Sequence, residues 1–541
     1  MTEPLAGAAH DPMVATAQAG YTFTGPSLEI GALVTGTAQA SQPVPECGIR
    51  VPISMLNRHG LVAGATGTGK TKTLQLLAEQ LSTAGVPVFV ADIKGDLSGL
   101  SQPGQPSDKL TQRAASVGQS WEPASSPTEF LALGGQGTGV PVRATVTSFG
   151  PLLLAKVLDL NETQSSSLAL VFHYADRAGL PLLDLKDLRA VIQFLVSDEG
   201  KGDLEGLGGL SKATAGVILR GLIAFADAGA DVFFGEPEFD TADLIRIAPD
   251  GRGVISCLEL SVVQDRPALF STFLLWLLAD LFHDLPEVGD ADKPKLVFFF
   301  DEAHLLFRDA SKALTDQIAQ TVRLIRSKGV GVFFVTQSPK DVHAEVLAQL
   351  GHRVQHALRA YTPDDAKALR AAVSTYPKSA YDLEELLTTL AIGEAVITVL
   401  TERGVPSPVA WTRMRAPQSL MAPAPAEAVA AAVTASALQQ EYGAAIDRES
   451  AYERLSARLA PPSDAPASAQ TARAPAPAPA PPRAKEARDS TRTRPARDDD
   501  SMVEQVVKSS AFKSFLRSAG TVLGREITRS VLGTAKKRTR R

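Results

Sequence analysis

The stretch Gly64-Ala65-Thr66-Gly67-Thr68-Gly69-Lys70-Thr71 constrains this chain more than any other. It fits G-x-x-x-x-G-K-[ST], a tight loop whose backbone N–H groups all point at phosphate oxygens, with glycine where a Cβ would obstruct. In that pattern Lys70 reaches the β- and γ-phosphates and the Thr71 hydroxyl ligates Mg2+. Apolar Leu61-Val62-Ala63 reads as the strand entering the loop, and Thr73-Leu74-Gln75-Leu76-Leu77-Ala78 as the helix leaving it. The helix N-terminus adds partial positive charge at the phosphates. The expected nucleotide contacts are therefore residues 64–71, with Lys72 following.

From Pro52 to about Pro408 short apolar segments alternate with helical ones, the pattern of an α/β fold around a mainly parallel sheet. Strands are expected at 60–64, 87–93, 253–260, 295–302, 330–337 and 393–400. The stretch between the second and third is too long for one crossover. Residues 101–230 are read as an insertion, loop-rich at first, with a β-segment at 140–149 and then helical periodicity. The run "ALFSTFLLWLLADLF" at 268–282 is too short to span a bilayer and carries Asp280, so a buried helix is expected.

The expected organisation is a short N-terminal extension (1–45), a nucleotide domain (46–415), an Ala-rich helical segment (416–460), a disordered Pro/Ala-rich linker (461–500) and a basic amphipathic C-terminal helix (501–541). That last segment holds ten Lys/Arg against two Asp/Glu, a net of +8, which leaves −13 of the chain's −5 on residues 1–500. The tail has three readings: an anionic membrane, nucleic acid or a neighbouring subunit as its contact. The two cysteines, Cys47 and Cys257, have no zinc-ligand spacing and form no disulfide framework. With no signal-peptide pattern at the start, a cytoplasmic location is expected.

A second motif specifies the kind of nucleotide site. "KLVFFFDEAH" is a hydrophobic strand ending in Asp301-Glu302. A carboxylate at a strand tip beside the phosphate loop holds Mg2+ through water, the role expected of Asp301. The adjacent Glu302 is expected to orient and polarise an attacking water. A third element, "VRLIRSKGVGVFFVTQSP", runs helix, Gly turn, strand, and ends on Gln337, an amide placed to touch the γ-phosphate or the water. His304 is read as a packing or hydrogen-bonding residue, since no second ligand stands at metal-site spacing.

Together "GATGTGKT", "FFFDEAH", "RSKGVGVFFVTQSP" and "GHRVQHALRAYTPDDAKAL" resemble the HerA-like ATPases of the HerA/FtsK superfamily, in particular their bacterial YjgR-like branch. The resemblance covers roughly residues 20–415 and part of the tail. It implies a RecA-like P-loop NTPase fold, with the phosphate-loop strand and the Asp-Glu strand separated by one neighbour. It also implies ATP and Mg2+ as ligands, a hexameric ring, double-stranded DNA as the track, and arginines from one subunit completing the next subunit's site. Arg326 and Arg353 are the first candidates for that role, with Arg323 and Arg359 behind them. Arg353 is expected near the rim of the sheet. HerA proper carries an N-terminal β-barrel for which residues 1–45 are too few, so that module is expected to be truncated or absent.

Two functions stay open at this level: a DNA translocase or helicase, and an ATPase of the same fold that acts on protein or switches an assembly. A scaffold without turnover is disfavoured by Glu302. Nothing in composition separates the first two, because the acidic core shows no basic stripe and DNA enters by resemblance alone.

Overall fold

A computed structural model describes residues 12–459, apart from 205, 207, 290, 309 and 310. The linker and the basic tail of the sequence reading lie outside the described residues. Of the described residues, 12–204 and 209–455 form one unit.

Twelve strands form one sheet: β1 (Ser27–Thr37), β2 (Ala40–Pro52), β3 (Gly60–Ala63), β4 (Val88–Asp92), β5 (Thr128–Leu133), β6 (Val140–Val142), β7 (Ile255–Glu259), β8 (Leu296–Phe300), β9 (Val330–Thr336), β10 (His352–Gln355), β11 (Glu394–Thr398) and β12 (Ala410–Met414). Their order is β2-β1-β12-β11-β10-β3-β9-β8-β4-β7-β5-β6. Neighbours from β10 through to β6 pair in parallel, and those from β10 back to β2 pair antiparallel. The phosphate-loop strand β3 and the Asp-Glu strand β8 are separated by β9 alone, as the resemblance implies.

Sequence period explains why the centre is buried on both faces. In β8 every residue is fully buried, and successive side chains point to opposite sides. Phe298 and Phe300 join Phe89 and Phe334 under the helices Pro267–Asp284 and Lys312–Ile325. Val297 and Phe299 join Val62, Val90 and Val335 under the helix Lys70–Thr83, through Leu74, Leu77 and Leu81. Each such side chain contributes about 2 kcal/mol. The run at 268–282 is the buried helix expected, and no described helix is long and apolar enough to cross a membrane.

All six strands expected from the sequence are present. Others were hidden. Residues 27–52 form a long hairpin that joins the sheet through β12, so a boundary drawn at 45/46 falls inside β2. The stretch read as an insertion contributes β5 and β6 to the sheet beyond β7. The β-segment expected over 140–149 stops at Val142, because Thr145 caps a helix by accepting from Ser148 N. The Ala-rich segment is three short helices, Ala426–Ala435, Ala437–Tyr442 and Ala451–Leu459. Val429, Leu438 and Tyr442 pack into the core.

Residues 415–424 form a strap along the phosphate-loop helix. Buried Glu79 accepts from Gln418 N (2.8 Å), Ser419 N (3.2 Å) and Ser419 Oγ (2.9 Å). Gln75 Nε2 donates to Ser419 Oγ and to Leu420 O, both at 2.8 Å.

Candidate nucleotide site

Parallel strands put their C-terminal tips at one edge of the sheet, and there β3, β9, β8 and β4 deliver the loop 64–69, Gln337, Asp301-Glu302 and the turn after Asp92 side by side. The loop needs its glycines. Gly67 sits at φ +79, and a Cβ on Gly64 would lie 2.5 Å from His356 Cβ. Lys70 is buried and folds back over the loop, with Nζ donating to Gly64 O (2.7 Å) and Ala65 O (3.2 Å). Its burial lowers its pKa, against the pull of Glu302. Thr71 opens the helix and is half-buried. Lys72 departs from the expectation: its ammonium donates to Met421 O (2.6 Å), so the side chain is committed to the strap.

Asp301 is 1% exposed, and its Oδ2 has no hydrogen-bond partner among the described residues. Burial pushes its carboxyl up to about 6, with Lys94 opposing. A buried carboxylate oxygen left unpaired is costly unless a cation or ordered water meets it. With the Thr71 hydroxyl on the neighbouring helix, this donor set suits a hydrated Mg2+ held by oxygen ligands.

Glu302 is the most tightly held side chain of the site. Its backbone lies at φ +47, a conformation that L residues adopt at a cost of about 1 kcal/mol and that recurs at functional sites. Lys94 Nζ pairs with Oε1. Oε2 has His304 Nδ1 at 3.1 Å and Gln337 Nε2 at 3.5 Å. Burial would raise the Glu302 carboxyl, but Lys94 outweighs it and holds the group below the usual carboxylate range. His304 thus stands at ion-pair distance from Glu302, and Gln337 touches the acid expected to act on water.

Lys94 went unremarked in the sequence. Its turn is shaped by Asp92, whose carboxylate accepts from Gly95 N (2.8 Å), Asp96 N (3.2 Å) and Leu97 N (2.8 Å). The available sign was a lysine two residues past an acid that ends a buried strand. A cavity of about 480 Å3 opens beside the loop, lined by Ala65, Thr66, His304, Gln337, Arg359 and Asp365 among others. Of the four arginine candidates, Arg359 alone lines that cavity. Arg326 and Arg323 are exposed near the start of β9, the end away from the loop. Seven strand residues put Arg326 about 20 Å from the tip that carries Gln337. Arg353 corrects the expectation of a place at the rim: β10 lies in the interior between β3 and β11, and Arg353 donates to Thr375 Oγ1. Its register partner is Leu61, at the entering half of β3.

A RecA-like sheet, a phosphate loop, and an Asp-Glu strand one neighbour away define a P-loop ATPase. Residues 37–541 match the family described as helicase HerA-like C-terminal, and the chain belongs to that family. It is 22% identical over 387 residues to the DNA double-strand break repair helicase HerA of Sulfolobus acidocaldarius, covering 69% of this chain and 67% of the relative. To the HerA of Sulfurisphaera tokodaii it is 22% identical over 354 residues, 64% of each. The chain thus spans about two thirds of the length of these relatives. Among solved structures it is similar to the plasmid coupling protein TrwB in complex with a non-hydrolysable ATP analogue, with 18% identity and a TM-score of 0.47 over 74% of this chain and 97% of that one.

Proposed function

We propose that this chain hydrolyses Mg-ATP and uses the cycle as a ring-forming motor that moves along, or unwinds, double-stranded DNA. The observation that carries the hydrolytic half is Glu302, a carboxylate set rigidly on a strand tip beside the phosphate loop. Glu302 takes a proton from water as the water oxygen bonds to the γ-phosphorus. The bond to the β–γ bridging oxygen breaks, and ADP leaves with its electron pair. Lys70 and the loop N–H groups hold the phosphates, and Gln337 orients Glu302 or the water. Mg2+, held through Asp301 and Thr71, would neutralise charge on the β- and γ-oxygens.

The ring is carried by the resemblance to HerA-like ATPases. Arg326 lies about 20 Å from the chain's own loop, so a role for it at a nucleotide would be played from a neighbouring subunit. The DNA half draws on the relatives, which are named as DNA repair helicases. The test is ATPase activity with and without duplex DNA across a salt series. A DNA motor should be stimulated, with apparent affinity falling by orders of magnitude between about 50 and 200 mM salt. Robust turnover indifferent to DNA would favour a protein substrate or an assembly switch.

A further inference from the structure

The ammonium of Lys94 is placed where the proposed reaction needs a decision. It pairs with Glu302 Oε1, while His304 and Gln337 approach Oε2, so both oxygens of the water-polarising acid are engaged. A carboxylate in that condition is a hindered base, since Oε2 faces two groups and the one cation at Oε1 stands where a water would approach. Departure of Lys94 would clear Oε1 completely.

The three partners differ in their freedom to leave. Gln337 holds Oε2 only at 3.5 Å, and His304 stands two residues from Glu302 in the same turn. Lys94 alone brings a full charge on a four-carbon stem from another strand, and its side chain is 42% exposed while that of Glu302 is 6% exposed. The backbone that carries it is fixed by the three N–H groups on Asp92 and by Gly95 at φ +76. The stem is therefore free to swing from an anchored base. Lys70, Lys94, Asp301 and Glu302 all act on one another electrostatically, so Lys94 belongs to the charge cluster around the phosphate loop. Two lysines and two carboxylates balance in formal charge, and a γ-phosphate adds about two negative charges to that set.

We propose that Lys94 is a γ-phosphate-sensing residue: it leaves Glu302 for the γ-phosphate of a bound nucleoside triphosphate, and so frees Oε1 to accept the attacking water. The inference rests on the nucleotide reading above and deepens it. The terminal phosphate, even with Mg2+ on some of its oxygens, offers the ammonium further anionic acceptors, whereas ADP has no group at that position. One movement thereby ties the release of the base to the presence of the bond it will break. In its new place Lys94 also meets charge that develops on the γ-oxygens.

Two measurements on the full chain test it. The first compares the affinities of a β,γ-imido ATP analogue and of ADP, both with Mg2+, in the parent, Lys94→Met and Lys94→Arg proteins. Loss of one charge-assisted contact to the γ-phosphate should lower the analogue-to-ADP affinity ratio roughly tenfold in Lys94→Met. Lys94→Arg should keep most of the ratio. An unchanged ratio in a Lys94→Met protein that melts like the parent overturns the proposal. The second measurement needs no variant: amine acetylation of Lys94 in the parent protein, read by mass spectrometry. Lys94 should be protected more by the analogue than by ADP, and equal protection overturns the proposal. A parent protein that binds neither nucleotide, or a Lys70→Ala protein that binds both as the parent does, would instead sink the nucleotide reading itself.

Discussion

Glu79 offers a quantitative test of how the strap is held. It is 6% exposed on the phosphate-loop helix and accepts three hydrogen bonds from Gln418 and Ser419, with no cation paired to it among the described residues. Burial raises its carboxyl from the ordinary 4.5 to about 7, and the strap's donors only partly offset this. A carboxyl whose pKa is higher in the folded state binds its proton more tightly there. Its stabilising contribution is therefore complete below about 4.5 and is lost as pH rises through about 7. The gap between those values, at about 1.36 kcal/mol per pH unit, amounts to about 3 kcal/mol. Glu79→Gln keeps the size and removes the proton. The assay is urea unfolding of parent and variant at pH 5 and pH 8, with the difference in stability compared between the two. All other titrations cancel, so the parent should lose about 2–3 kcal/mol more than the variant over this range. Parallel profiles within about 0.5 kcal/mol would refute the idea that burial dominates at Glu79 and would require a cation or water network to solvate it.

Three further outcomes are expected. Lys70→Ala should abolish nucleotide binding, whereas Glu302→Gln should keep binding and lose turnover by about a hundredfold or more; parent-rate hydrolysis by Glu302→Gln in a steady-state assay would remove its assigned role. Gly64→Ala must push a Cβ to within 2.5 Å of His356, so it should lower the melting temperature and weaken ATP binding together, and calorimetry with and without nucleotide checks both. Mixing inactive Lys70→Ala with inactive Arg326→Ala protein should restore part of the ATPase activity, since each lacks what the other supplies across an interface. No recovery in oligomers shown by mass to be mixed would place Arg326 outside trans catalysis.

The loop residues 64–71, the acids Asp301 and Glu302, and Gln337 were legible because each is defined by local order: a strand, then a functional residue at its tip. Buried parallel strands are continuous apolar runs, and "KLVFFFDE" announces itself without knowledge of its neighbours. What the sequence by itself determined, then, was the α/β class, the six strands of strongest pattern and the phosphate chemistry of the loop. Beyond the one-strand gap between β3 and β8 that the resemblance implied, what depends on which tip lies beside which was decided only in three dimensions. Short β10 carries too little period to be read, yet it forms the wall beside β3 and sets His356 against Gly64. Arg353 moved from an expected rim to the interior for the same reason. Lys94 and Glu302 stand far apart along the chain, and no spacing rule links them. They meet because β4 and β8 pair in parallel, Ala91 opposite Phe300, and parallel pairing sends both chains out of the sheet at the same edge.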